Sequence, residues 1–170
     1  MGQPSSAEEA ADKPQKTTIV LFSGEMDRAL AAFTIANTAA AMGMEVTIFF
    51  TFWGLNVIKK PAGARGGQGW MRKVLNWMNS GHARRLPLSR FNFLGMGPWM
   101  MKQLMKEQRM LPLEQMLQQA KQLGVRFVAC TTSIGLMGLS EGDFVPAVDS
   151  FAGAATYLGE ARQAGVNLFI

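Results

Sequence analysis

Thr17-Thr18-Ile19-Val20-Leu21-Phe22 is an unbroken β-branched and apolar run, closed by the turn Ser23-Gly24. A strand that is apolar on both faces belongs inside a parallel sheet with helices on each side. From about Glu25 to Met42 the period changes. Met26, Leu30, Phe33, Ala36 and Ala40 recur at spacings of three and four and draw one buried stripe along a helix. Glu25 and Asp27 suit the positive end of the helix dipole, and Gly43 suits its C-terminal cap. Val46 to Phe52 is a second apolar run. Strand, helix and strand within roughly 35 residues make a βαβ unit, so the two strands are expected to be parallel.

The same grammar returns in the second half. Pro112 is placed for the first turn of a helix, Leu113, Met116, Leu117, Ala120 and Leu123 share one face, and Gly124 ends it. Val125 to Cys130 reads as another strand. A short helix is expected near Ile134 to Leu139 and a short strand at Phe144 to Val148. A last helix, capped by Asp149 or Ser150 and running to about Ala164, would turn Phe151, Ala155 and Leu158 inward. Gly165 stops it, and Val166 to Ile170 is a terminal strand. This alternation predicts a doubly wound, flavodoxin-like parallel α/β sheet in a single domain over 17–170.

The stretch from Leu55 to Leu111 breaks that rhythm, being far longer than a strand-to-helix connection needs. It reads as a helical, basic insertion over about 56–110, with helices expected at Trp70 to Met78 and Pro98 to Arg109. Residues 61–110 carry nine basic groups against Glu107 alone, a net +8, while 1–60 sum to −1 and 111–170 to −2. Trp70, Trp77, Phe91, Phe93 and Trp99 interleave with this charge, around Arg84-Arg85. The block predicts a docking surface for self-assembly into a homo-oligomer, for an acidic partner, or for the periphery of an anionic membrane. No DNA- or RNA-binding motif is present, and nucleic acid is not expected as a partner.

Cys130 is the one cysteine of the chain. It ends the Val125–Cys130 strand and precedes Thr131-Thr132-Ser133 and a glycine-punctuated stretch from Gly135 to Gly138. A thiol at the carboxyl edge of a parallel sheet faces the crevice where such sheets bind ligands. If the hydroxyl residues open a helix, its first amides favour a thiolate. Thr131, Thr132 and Ser133 also offer hydroxyls to the sulfur, although a cap or turn is the commoner role for such residues.

The composition excludes several classes. One cysteine allows no intrachain disulfide and suits a reducing, cytoplasmic compartment. One cysteine and one histidine make a zinc centre untenable. No GxGxxG or P-loop pattern occurs, and Glu25 beside the short Ser23-Gly24 turn would repel phosphate, so no cofactor is expected. His82 lies beside Arg84-Arg85 and reads as a solvated surface histidine, not the base of a hydrolase. Met1 to Lys16 lacks a hydrophobic signal core and reads as a disordered leader.

Taken in order, three segments resemble the DsrE/DsrF/DsrH-like sulfurtransferases, the family of the Tus sulfur-relay proteins. They are Ile19-Val20-Leu21-Phe22-Ser23-Gly24 with its Ala-rich helix, Thr47 to Phe50 leading into Thr51-Phe52-Trp53-Gly54-Leu55, and Cys130 to Gly138. The aromatic turn is similar to a larger-insert branch often labelled peroxiredoxin-like. The resemblance spans about 17–55 and 111–170. It implies that Cys130 accepts a sulfane sulfur as a persulfide from one protein and passes it to another. Thr131, Thr132, Ser133 and Gly135 beside it, and Gly24, Thr51 and Trp53 in the matched turns, are the supporting candidates. A one-cysteine thiol peroxidase and a non-enzymatic binding module built on the basic block are the alternatives.

Overall fold

The computed structural model describes residues 15–61, 82–90 and 96–170. Strand β1 (Lys16–Leu21) leads through helix α1 (Met26–Ala41) to β2 (Glu45–Phe50). After a 3-10 segment (Phe52–Val57) come α2 (Met96–Glu107) and α3 (Leu113–Gln122). Strand β3 (Arg126–Cys130) runs straight into α4 (Thr131–Met137). Strand β4 (Ser150–Ala152), α5 (Ala154–Ala161) and β5 (Val166–Phe169) complete the chain.

The five strands are all parallel, in the order β4-β3-β2-β1-β5. Winding proceeds one way from β1 to β4 and then returns across the sheet to β5. With right-handed crossovers, that reversal puts α5 on the face opposite α1 and α3. The chain is therefore a doubly wound α/β sheet. On the α1/α3 face Phe33, Phe50 and Phe127 are fully buried, with ring centroids 5.4–6.3 Å apart and two of the three pairs edge-on. Burying a side chain of this size stabilises by roughly 1.5–3 kcal/mol.

The opposite face is thinly covered. Tyr157 of α5 stacks on Phe49 at 5.0 Å, and its hydroxyl lies 3.3 Å from that of Thr18. Glu160 accepts a hydrogen bond from Thr47 and pairs with Arg126 at 3.0 Å. No residue of α5 is buried. Leu158, expected inside, is 59 % exposed.

Two expectations near the C-terminus are corrected. Phe144 to Val148 is not a strand: Phe144 makes one antiparallel bridge to Lys59, and Pro146 has no amide to give a ladder. The strand lies later, at Ser150–Ala152, and takes Phe151 with it. Asp149 does not cap a helix either. Its carboxylate accepts the Phe127 amide at 2.7 Å and pairs with Lys121 at 2.5 Å, and the N-cap of α5 is Gly153 instead. Lys16 opens β1, inside the stretch read as a leader, while 1–14 lie outside the described residues. The expected helix at Trp70–Met78 also lies outside them, whereas that at Pro98–Arg109 is present as α2. No described helix is long and apolar enough to cross a membrane.

Candidate functional site

Cys130 is the last residue of β3 and the N-cap of α4, with no intervening loop. Cys130 is 5 % exposed and packs with Val20, Phe49 and Val128, against Ala152 and Tyr157. The β2–β3 register pairs Phe50 with Ala129, so the next residues along, Thr51 and Cys130, are neighbours at the sheet edge. Ser133, 1 % exposed, comes back from the first turn of α4, and its hydroxyl lies 2.9 Å from that of Thr51.

No regular capping bond closes on the sulfur. Burial alone would raise the thiol pKa. The hydroxyl and amide of Ser133, the hydroxyl of Thr51 and the amide of Thr132 oppose it, and the net shift is downward from the ordinary thiol value. The Thr51–Ser133 pair explains part of this. One hydroxyl proton is used between the two oxygens, and the other remains for the sulfur. The arrangement stabilises an anion on a nearly dry sulfur with neutral donors.

Only some of the expected residues gather here. Ser133 (hydroxyl and amide), Thr132 (amide) and Thr51 from the next strand are the groups that lower the thiol pKa. Thr131 and Thr132 are themselves exposed. Gly135 sits in α4 with nothing within 4 Å of where a Cβ would stand, so no contact demands glycine there. Trp53 is 41 % exposed, and its backbone, not its indole, bears on the site: a Cβ on Gly24 would come within 2.7 Å of its carbonyl oxygen. Gly24 is thus a close-packing residue.

His82 is corrected from solvated to half-buried. It lines a cavity of about 230 Å³ with Lys59 and Glu114, apart from the residues around the thiol. Burial, then Arg85 and Arg84, lower its pKa from the ordinary imidazole value, against the opposing pull of Glu114. Among the described residues no group of three or more His, Cys, Asp or Glu side chains is placed to hold a metal ion.

Sequence reasoning missed Tyr157 and Gly54. Tyr157 is the chain's single tyrosine, and a lone aromatic hydroxyl in the last helix was the available signal. Gly54 donates its amide to Phe22 at 2.8 Å and to Thr51 at 2.9 Å, tying the two turns together.

The polar partners of Cys130 make a direct prediction. Ser133→Ala or Thr51→Val removes a donor that favours the anion, worth about 1.5 kcal/mol, so the thiol pKa should rise by about one unit. Ultraviolet thiolate absorbance against pH reads this without needing access to the sulfur. Since the folded thiol titrates low, wild-type absorbance appears at lower pH than that of the unfolded chain and is lost as pH falls through the depressed value. In both variants the curve moves to higher pH.

A parallel α/β sheet that presents one activated thiol at the carboxyl edge of a central strand defines a class of thiol-bearing α/β proteins. The model of the DsrE/DsrF/DrsH-like family matches residues 13–169, and this chain belongs to that family. It is 45 % identical over 159 residues to the uncharacterized protein YrkE of Bacillus subtilis strain 168, covering 94 % of this chain and 99 % of that protein. It is 31 % identical over 163 residues to the sulfur carrier protein DsrE2 of Allochromatium vinosum, covering 92 % and 98 %. Protein MTH1491 of Methanobacterium thermoautotrophicum, described as of unknown function, superposes with a TM-score of 0.50 at 11 % identity, over 92 % of this chain and 99 % of that one. That likeness is one of fold.

Proposed function

We propose that this protein is a sulfur carrier that holds sulfane sulfur as a persulfide on Cys130 and passes it between partner proteins in a reducing, cytoplasmic compartment. One observation carries the reading: the chain's one thiol, at the N-cap of α4, has Thr51, Thr132 and Ser133 disposed to stabilise its anion. Family membership and the name of the Allochromatium relative support it. In loading, the Cys130 thiolate attacks the outer sulfur of a donor persulfide. The donor S–S bond breaks, the donor leaves as a thiolate, and Cys130 becomes a persulfide. In unloading, an acceptor thiolate attacks that outer sulfur and Cys130 leaves as a thiolate. No net oxidant or reductant is consumed, and a second cysteine is not needed. The test is passage of labelled sulfur from a persulfide donor through the isolated, loaded protein to an acceptor thiol. A loaded protein that releases nothing to any thiol fails the reading.

The described residues form one sheet, with β5 at the end of the chain closing on β1 at its start, and 17–170 is taken as one domain. Assembly with a second copy is part of the same reading. The edge strand β5 and helix α5 leave Leu158 59 %, Val166 39 % and Phe169 72 % exposed, a contiguous element pair with little to cover it. Light scattering should give a mass above one chain, and Leu158→Asp, on the exposed side of α5, should return it to one chain without lowering the unfolding midpoint. A monomeric wild type sinks the assembly. On the basic block, Met96, Trp99, Met100 and Leu104 form an exposed stripe along α2. That stripe favours membrane-peripheral contact as a second reading.

A further inference from the structure

A cavity of about 580 Å³ opens between the start of α1, the turn at Ala83-Arg84, α2 and the start of α3. Small-molecule sites typically enclose roughly 300–1,000 Å³. It lies on the α1/α3 face of the sheet, whereas Cys130 packs on the α5 face, so the sulfur chemistry makes no use of it.

Its depth is apolar. Met26, Leu30, Met105 and Leu113 are buried in its wall, and Met110 is half-exposed at its mouth. Methionine side chains are unbranched and polarizable and adapt to a flexible hydrocarbon better than rigid branched ones. The rim is cationic. Arg84, Lys102, Lys106 and Arg109 line it, against one acid, Glu114. Glu114 is already paired with Arg84 at 2.7 Å, and Lys102 donates to the Arg84 carbonyl at 2.7 Å. Among the described residues no acid pairs with Lys106 or Arg109.

Arg109 is also conformationally unusual. Helix α2 terminates with the Arg109 amide bonded to the Lys106 carbonyl at 3.1 Å and the Met110 amide bonded to the Met105 carbonyl at 2.8 Å. This is the termination in which glycine normally takes the left-handed residue. Here an arginine holds φ at 55°. A strained backbone that is retained where glycine would relieve it points to use of the side chain. That side chain lines the mouth of the cavity.

We propose that this cavity binds a single-chain anionic amphiphile, its hydrocarbon among Met26, Leu30 and Met105 and its carboxylate on Lys106 and Arg109. The inference stands apart from the sulfur-carrier reading and survives its failure. The probe is laurate below its aggregation threshold, titrated into the full chain by calorimetry, with 1-dodecanol as the uncharged analogue and phosphatidylglycerol vesicles as a separate arm. The expected result is saturable laurate binding that dodecanol does not match. Losing one charge-assisted contact, in Arg109→Gly or Lys106→Gln, should weaken it about tenfold. Arg109→Gly should at the same time raise the unfolding midpoint by about 3 °C, because it relieves the left-handed strain. Absence of saturable binding, equal binding of dodecanol, or indifference to both substitutions overturns the site. Vesicle binding without laurate binding overturns it too, and gives these charges to a membrane surface.

Discussion

Cys130→Ser should abolish sulfur loading. After exposure to a persulfide donor, the intact mass of the wild-type chain should rise by about 32 Da for one sulfur, and that of the variant should not change. The added mass should vanish on treatment with a thiol, as a persulfide does. Serine is close to cysteine in shape and can join the hydroxyls of Thr51 and Ser133, so the variant should unfold near the wild-type midpoint. Loss of loading would then be loss of the nucleophile and not of the fold. Equal sulfur uptake by Cys130→Ser would end the proposal. The same pair of proteins separates the peroxidase alternative. Catalytic consumption of peroxide with an external thiol, dependent on Cys130, would place the sulfur on the oxidation ladder instead of in a relay.

The 5 % exposure of Cys130 shapes how loading should proceed. A sulfur this covered is poorly reached by bulk reagents, and under the proposal a persulfide held there would be shielded from them as well. A donor would then have to come to the carboxyl edge of the sheet. Phe52, Phe22 and Phe169 form a row of rings there, with centroids 5.4 and 5.8 Å apart, and Phe52 and Phe169 are exposed. Phe52 holds a positive φ of 46°. Neutral donors around the thiol suit this traffic. A lysine or arginine at contact would hold the anion more tightly and make the sulfur a poorer nucleophile.

The parts of this fold that were legible in the sequence are those whose burial is two-sided or strictly periodic. Ile19 to Leu21 and Ile48 to Phe50 are buried on both faces and read as unbroken apolar runs. The face of α3 is buried at Leu113, Met116, Leu117 and Ala120, as its spacing foretold, although Leu123, expected with them, sits at the helix end and is 39 % exposed. Strand β4 was hidden because three residues display no period, and it is placed by pairing with β3. The denser apolar run before it, from Phe144 to Val148, drew the strand assignment although Pro146 forbids a ladder. At the site, Ser133 was legible because it lies three residues from Cys130, on the first turn of the helix the thiol caps. Its partner Thr51 is 82 positions away, and its side chain meets Ser133 only through strand register. Gly54 falls in a turn visible in the sequence, but the need for glycine there depends on where a different strand ends.

That need makes Gly54→Ala the most damaging small substitution expected in the described structure. A Cβ at residue 54 would stand 1.9 Å from the Leu21 carbonyl oxygen and 2.8 Å from its carbon. The obstacle is backbone at the end of a central strand and cannot rotate away. The Gly54 amide also bonds Phe22 and Thr51, while the Thr51 amide bonds Leu21 at 3.1 Å, so relief must pull the β2 turn off β1. The cost should exceed about 4 kcal/mol, the range reserved for strain or disruption inside a packed core. Because Thr51 moves with the turn, whatever fraction stays folded should show thiolate absorbance displaced to higher pH. Gly135→Ala is the paired control. It adds the same methyl within α4, where nothing lies within 4 Å, and should stabilise by roughly 0.5–1 kcal/mol. Chemical denaturation of the two variants decides the matter: equal midpoints would mean that the Gly54 contact is not real, and that the two turns beside Cys130 are held by something other than this close approach.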